Sequence, residues 1–158
     1  MNASRLINVL ADQSKVYSFL IDLSKQMQDA IKINDIKKID SLIKVQMALV
    51  MKLSSYENKR VKIAKEISKE VNVHPDDLTI SEIKNYLDEN QFSSLEELEQ
   101  KLESNISTLS EINNTNKLLI NNGLDLIEFS LNLLGASDSV IYNMDGENKR
   151  KQIIDEKV

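Results

Sequence analysis

One helical stripe constrains this chain more than any other feature. Ile39, Gln46, Leu53, Arg60 and Ile67 stand seven residues apart, and so do Leu42, Leu49, Tyr56 and Ile63. The two rows interleave as the a and d positions of a heptad seam. They predict a helix from Asp35 to Val71, about 55 Å long at the usual helical rise. A helix of that length with a single apolar stripe has to bury it against another helix.

The rest of the chain supplies partners. Leu6, Val9, Leu10, Gln13, Val16, Tyr17, Leu20, Leu23, Met27 and Ile31 recur at steps of three and four, which predicts a first helix over about 4–33. Asn34 reads as a cap, with Asp35 adding negative charge in the turn that follows. Pro75 biases His74 away from helix and breaks the pattern. Thr79 and Glu82 have capping-box spacing and open a short helix from Ile80 to about Glu89; Ser93 and Glu96 repeat the spacing. They open a last long helix, Ser94 to Leu134. Its seam reads Leu95, Leu98, Leu102, Ile106, Leu109, Asn113, Asn116, Ile120, Gly123, Ile127 and Leu134, and Gly135 reads as its C-terminal stop. The expectation is an all-α fold: an antiparallel bundle of three long helices plus one short helix over 1–135, then a flexible C-terminal tail over 136–158. An intertwined homodimer would share the same stripes.

Composition agrees with this class. Three glycines and one proline in 158 residues leave few turns for a sheet-rich fold. Acidic and basic residues are interspersed, and the net charge of −5 gives no basic footprint for nucleic acid. The longest uncharged run near the C-terminus, Phe129 to Ser137, is too short for a membrane span. "MNASRLINVLADQSK" lacks a basic segment followed by an apolar core, so a cytoplasmic location is expected. There is no cysteine, hence no disulfide and no thiolate metal site. His74 is the single histidine and reads as a solvated loop residue. No second histidine, helical Glu-x-x-His pair or glycine-rich phosphate loop accompanies it. The chain therefore reads as a non-enzyme without cofactor or metal.

The region around "INNTNKLLINNGLDLIEF" is unusual. Five of its first eleven residues are asparagine, a weak helix former. Asn113 and Asn116 fall on the seam, where a buried amide weakens a helical interface and fixes its register. Arg60, on the second helix's seam, reads either as a side chain reaching past the seam to water or as a partner for Asn113, Asn116 or a carboxylate of the first helix. After Gly123 the apolar residues Leu124, Leu126, Ile127, Phe129, Leu131, Leu133 and Leu134 occupy more than one face. One neighbouring helix cannot cover so wide an arc, so the region packs among several helices or awaits a partner. Beyond it, "VIYNMDG" sets Tyr142 among apolar residues. It reads as folding back on the bundle or as a short linear motif that docks elsewhere.

These residues resemble the FlgN family of flagellar type III export chaperones. The likeness covers about Ile7 to Gly146 and rests on "NNTNKLL" (Asn113, Asn116, Leu118, Leu119), the helix end "GLDLIEFSLNLL" and the Tyr142-x-x-x-Gly146 element. "YENKR", with Glu57 and Arg60, is similar to the family's middle helix. The resemblance implies a chaperone that binds hook–filament junction proteins, keeps them unpolymerised and delivers them to the flagellar export gate. It implies cargo binding by the C-terminal part, here Leu124, Ile127, Phe129, Leu131 and Leu134, and docking to the export gate through Tyr142. The shorter, lysine-containing end after Gly146 departs from the family pattern. The alternative reading is a structural coiled coil or adaptor of another system.

Overall fold

Two asparagines in the left-handed conformation punctuate the first half of the chain. Asn34 (φ 54°) and Asn72 (φ 56°) end successive helices. Asparagine tolerates this region better than any residue but glycine, and glycine is scarce here. In the computed structural model, which describes the backbone of residues 3–155 and the side chains of residues 3–135, α1 spans Ala3–Lys32, α2 Ile36–Val71, α3 Ile80–Ile83 and α4 Glu89–Asp155. Short 3₁₀ turns at Pro75–Asp77 and Lys84–Tyr86 flank α3. There is no strand among the described residues, so the fold is all-α.

The turn between α1 and α2 is a Schellman motif joined to an N-cap. Asn34 N–H donates to Ile31 O (3.1 Å) and Asp35 N–H to Ala30 O (2.9 Å). The Asp35 carboxylate then accepts from Lys38 N–H at 3.0 Å and opens α2. The cap is thus Asp35, and Asn34 closes the preceding helix instead. Thr79 caps α3 as its spacing predicts, accepting from Glu82 N–H at 3.2 Å. α4 begins earlier than Ser93 and Glu96 suggest. Asp88 Oδ1 accepts from Gln91 N–H (2.8 Å) and Gln91 Oε1 accepts from Asp88 N–H (3.4 Å), a reciprocal capping box. Nor does α4 stop at Gly135. No described glycine has positive φ, so Gly135 is a helix-interior residue, and the assigned helix runs on to Asp155.

The chain divides into two units, Met1–Lys117 and Leu118–Val158. In the first, α1 and α2 are antiparallel neighbours: Arg5 pairs with Glu66, Gln13 with Glu57 and Ser24 with Gln46, so residue numbers fall on one helix as they rise on the other. α4 meets α1 in parallel register, Asn105 reaching Ser14 and Asn116 reaching Ser24. One apolar cluster joins all four helices through Leu6, Ile63, Ile67, Val71, Ile83 and Leu95. A smaller one, Met27, Ala30 and Leu42, sits under the α1–α2 turn. The predicted α2 seam is the face that turns inward: Leu42, Ile63 and Ile67 are buried, and Ile39, Gln46, Leu49, Leu53, Tyr56 and Arg60 are half-buried.

The α4 seam differs from the predicted one by a residue at two positions. Leu95, Leu98, Leu102, Asn105, Leu109, Ile112 and Asn116 face inward, while Ile106 and Asn113 are exposed. Both rows satisfy three-four spacing. At the first of the two positions α1 favours the observed row, because its buried Ser14 offers a polar partner where Asn105 stands.

Candidate functional site

The second unit holds a long apolar surface that no described part of the chain covers. Leu118, Leu124, Leu126, Ile127, Phe129, Leu131, Leu133 and Leu134 are each 55 to 65% exposed. All five residues expected to bind cargo, Leu124, Ile127, Phe129, Leu131 and Leu134, are among the exposed side chains of this run. They do not share one face. Projected at about 100° per residue, Ile120, Leu124, Ile127, Leu131 and Leu134 form one ridge, and Phe129 belongs to another. That second ridge is Leu119, Leu126, Phe129 and Leu133, about 140° round the helix at the same helical angle.

Between the ridges lie Gly123 and Ser130, one heptad apart. A Cβ built on Gly123 meets nothing within 4 Å. Ser130 Oγ donates to Leu126 O of its own helix at 2.8 Å, so its hydroxyl demands nothing from a neighbour. The floor between the ridges is therefore narrow in side-chain bulk and satisfied in hydrogen bonding. The remaining face carries Asn121, Asp125, Glu128 and Asn132. A ridge, a shallow groove and a second ridge give a second helix a place to pack with close axial approach. Phe129 stands on a different face from the other four residues expected to bind cargo, and Leu126 and Leu133 flank it there. The signal that finds them is angular position, which heptad spacing alone obscures where two rows are both apolar.

The asparagines just before this run do structural work in the first unit. Ser24 Oγ donates to Asn113 Oδ1 (3.0 Å) and accepts from Gln46 Nε2 (3.1 Å), while Asn116 Nδ2 donates to Ser24 O (2.9 Å). One polar layer thus links α1, α2 and α4. Asn116 is buried, and its Oδ1 has no hydrogen-bond partner among the described residues. A second polar pair lies toward the other end. Arg60 forms a two-point pair with Glu57, at 2.8 and 2.6 Å, and Gln13 Nε2 donates to the same carboxylate at 3.1 Å. The Arg60 hydrogen bond, followed by that from Gln13, holds the Glu57 carboxyl below its usual range despite partial burial. Hydrogen bonding to Glu57 likewise raises Arg60. Arg60 therefore answers neither Asn113, Asn116 nor an α1 carboxylate, and its head remains in partial contact with solvent.

His74 is exposed and caps the Pro75–Asp77 turn, accepting from Asp76 N–H at 3.4 Å. No group of three or more histidine, aspartate or glutamate residues suited to a metal is present among the described residues. No helix among them is long and apolar enough to cross a membrane. Tyr142, the residue expected to dock at the export gate, lies outside the residues whose side chains are described.

A family model described as "FlgN protein" matches residues 1–150. This chain belongs to the FlgN family. Members are chaperones of flagellar export rather than enzymes, and they act by binding flagellar proteins. No match is found among curated proteins or among solved structures.

Proposed function

We propose that this FlgN-family chain is a cytoplasmic chaperone of hook–filament junction proteins. It shields a helical segment of its cargo from polymerising and delivers it to the flagellar export gate. The observation that carries this reading is the exposed double ridge of α4 over 118–135. An apolar surface of this extent on a described chain marks an interaction site, and its three-four spacing suits recognition of a helix in a groove. The cargo helix lies over Gly123 and Ser130, with Leu124, Ile127, Leu131 and Leu134 on one flank and Leu126, Phe129 and Leu133 on the other. The reading takes α1, α2 and the first half of α4 as an antiparallel three-helix bundle that serves as the scaffold. It takes 136–158, with Tyr142, as the segment that docks at the gate.

The test is co-elution with hook–filament junction proteins of the same genome, followed by light scattering. Ile127→Ala with Leu131→Ala is expected to weaken cargo binding at least tenfold with little change in thermal stability, since both side chains are exposed. Tyr142→Ala is expected to retain the complex and lose export. Loss of stability without loss of affinity in the double variant removes the site from α4. A second reading draws on the same exposure: two copies of the chain pair through the double ridge, and the protein is a structural coiled coil. A stable homodimer that ignores cargo decides for it.

A further inference from the structure

The first unit contains a concave site that the cargo reading does not use. Leu6 and Leu10 of α1, Ala64 of α2, Ile80 and Ile83 of α3 and Leu102 of α4 line a cavity of about 480 Å³. That volume is within the range of roughly 300–1,000 Å³ typical of ligand sites. α3 contributes Ile80 and Ile83 to the lining, and its N-cap Thr79, which accepts from Glu82 N–H, lies beside them.

The polar groups of the lining are unevenly charged. The lining holds three carboxylates, Glu57, Glu99 and Glu103, and one guanidinium, Arg60. Glu57 is already satisfied by Arg60 and Gln13. Glu99 and Glu103 are exposed, one helical turn apart, and neither pairs with a cation among the described residues. Gln13 adds an acceptor. It is buried, with its side chain in the lining. Its Nε2 must face Glu57, since the reversed amide would set oxygen against carboxylate. Its Oε1 accepts from no described residue.

We propose that this cavity docks an apolar side chain flanked by lysine or arginine on a partner polypeptide. The apolar group enters between Leu6, Leu10, Ile83 and Leu102. The flanking cation sits on Glu99 and Glu103 at the rim, and a backbone or side-chain N–H reaches Gln13 Oε1. Charge complementarity selects the occupant: the two exposed carboxylates would repel an acidic segment, attract a basic one and add nothing for a neutral one. The site lies on residues other than the α4 ridges, so it stands or falls apart from the cargo reading.

The experiment is a titration of the ¹⁵N-labelled full chain with acetyl-Lys-Leu-Leu-Lys-amide at low salt. Acetyl-Glu-Leu-Leu-Glu-amide is the charge-reversed control. Saturable amide shifts are expected at Leu6, Leu10, Gln13, Ile80, Ile83 and Leu102 with the lysine peptide alone, weakening as salt is added. Glu99→Gln with Glu103→Gln is expected to reduce affinity about five- to tenfold, as for two exposed ion pairs. Ala64→Phe, which fills the cavity, is expected to abolish the shifts. The glutamine pair changes only exposed groups, so it decides the matter if the filled variant does not fold. Shifts confined to 118–135, equal shifts with the glutamate peptide, or unchanged affinity in the double glutamine variant each overturn the proposal.

Discussion

Asn116 shows what a single buried amide does in a helical interface. Its Nδ2 holds the Ser24 carbonyl, which already lies inside α1, while its Oδ1 is left without a donor among the described residues. An orphaned buried acceptor costs on the order of 1–3 kcal/mol. The benefit is register: a one-turn slip of α4 along α1 would separate Asn113, Asn116 and Asn105 from Ser14, Ser18 and Ser24 together. Asn116→Leu is therefore expected to raise stability by about 1–2 kcal/mol, read as a higher unfolding midpoint in denaturant. A fall of the same size would mean that Oδ1 is satisfied by an internal water. Glu57 makes a separate prediction. Its folded-state carboxyl lies below the ordinary value of 4.5 because Arg60 and Gln13 hydrogen-bond the charged form. The resulting stability is fully present above the ordinary value and is lost as pH falls through the folded-state one. Glu57→Gln is expected to flatten the acid side of a plot of melting temperature against pH, slightly, because the pair is partly exposed. An unchanged acid limb would show that the pair contributes nothing.

At the scale of elements, α2 was legible and α4 only in part, for one reason. α2 carries further apolar residues off the seam, Ile36, Ile43, Val45, Met47, Val50 and Met51, all exposed, but only the seam rows keep heptad spacing along its whole length, so spacing identifies its inner face. In α4 the neighbours Asn105 and Ile106, Ile112 and Asn113, and Leu119 and Ile120 make two admissible rows. At Asn105 the inward choice goes with Ser14 of α1, about ninety residues away, which no local pattern carries. The helix ends were misread in a similar way. Gly135 resembles a stop but needs no positive φ, and Asp88–Gln91 caps α4 with residues less familiar as a pair than Ser93 and Glu96. The cavity under α3 was not visible in the sequence at all, since it arises only when four helices are placed together. The exposed run was visible because an apolar arc wider than one neighbour can cover is a property of the sequence itself. Gly123 tests its use. Gly123→Ala is expected to stabilise α4 by up to about 1 kcal/mol, with nothing within 4 Å to obstruct the methyl. It should at the same time weaken cargo binding by narrowing the floor between the ridges. Thermal melts and cargo titration of one variant read both effects, and tighter binding would place the cargo elsewhere.

For the whole molecule, the division into two units sets what the free protein does. Residues up to Lys117 contain the apolar clusters, with Leu95 and Ile67 among the most deeply buried side chains. Residues 120–135 contain no buried or half-buried side chain, and Asn121, Asn122, Gly123 and Gly135 are poor helix formers. A helix in water draws most of its stability from packing one face. Among the described residues nothing supplies that contribution over 120–135. Amide hydrogen exchange is therefore expected to be fast over 120–134 in the free protein and slow over 95–116, where side chains of α4 meet α1 and the core. Adding a hook–filament junction protein should slow 120–134 strongly and leave 95–116 nearly unchanged. Protection of 120–134 already present in the free protein, together with a dimeric mass in light scattering, would mean that the ridges are satisfied by a second copy. In the cargo reading, binding completes the helix rather than only covering it. Part of the interaction energy is then spent on ordering, which keeps affinity moderate for a surface so apolar and suits a chaperone that has to release what it carries.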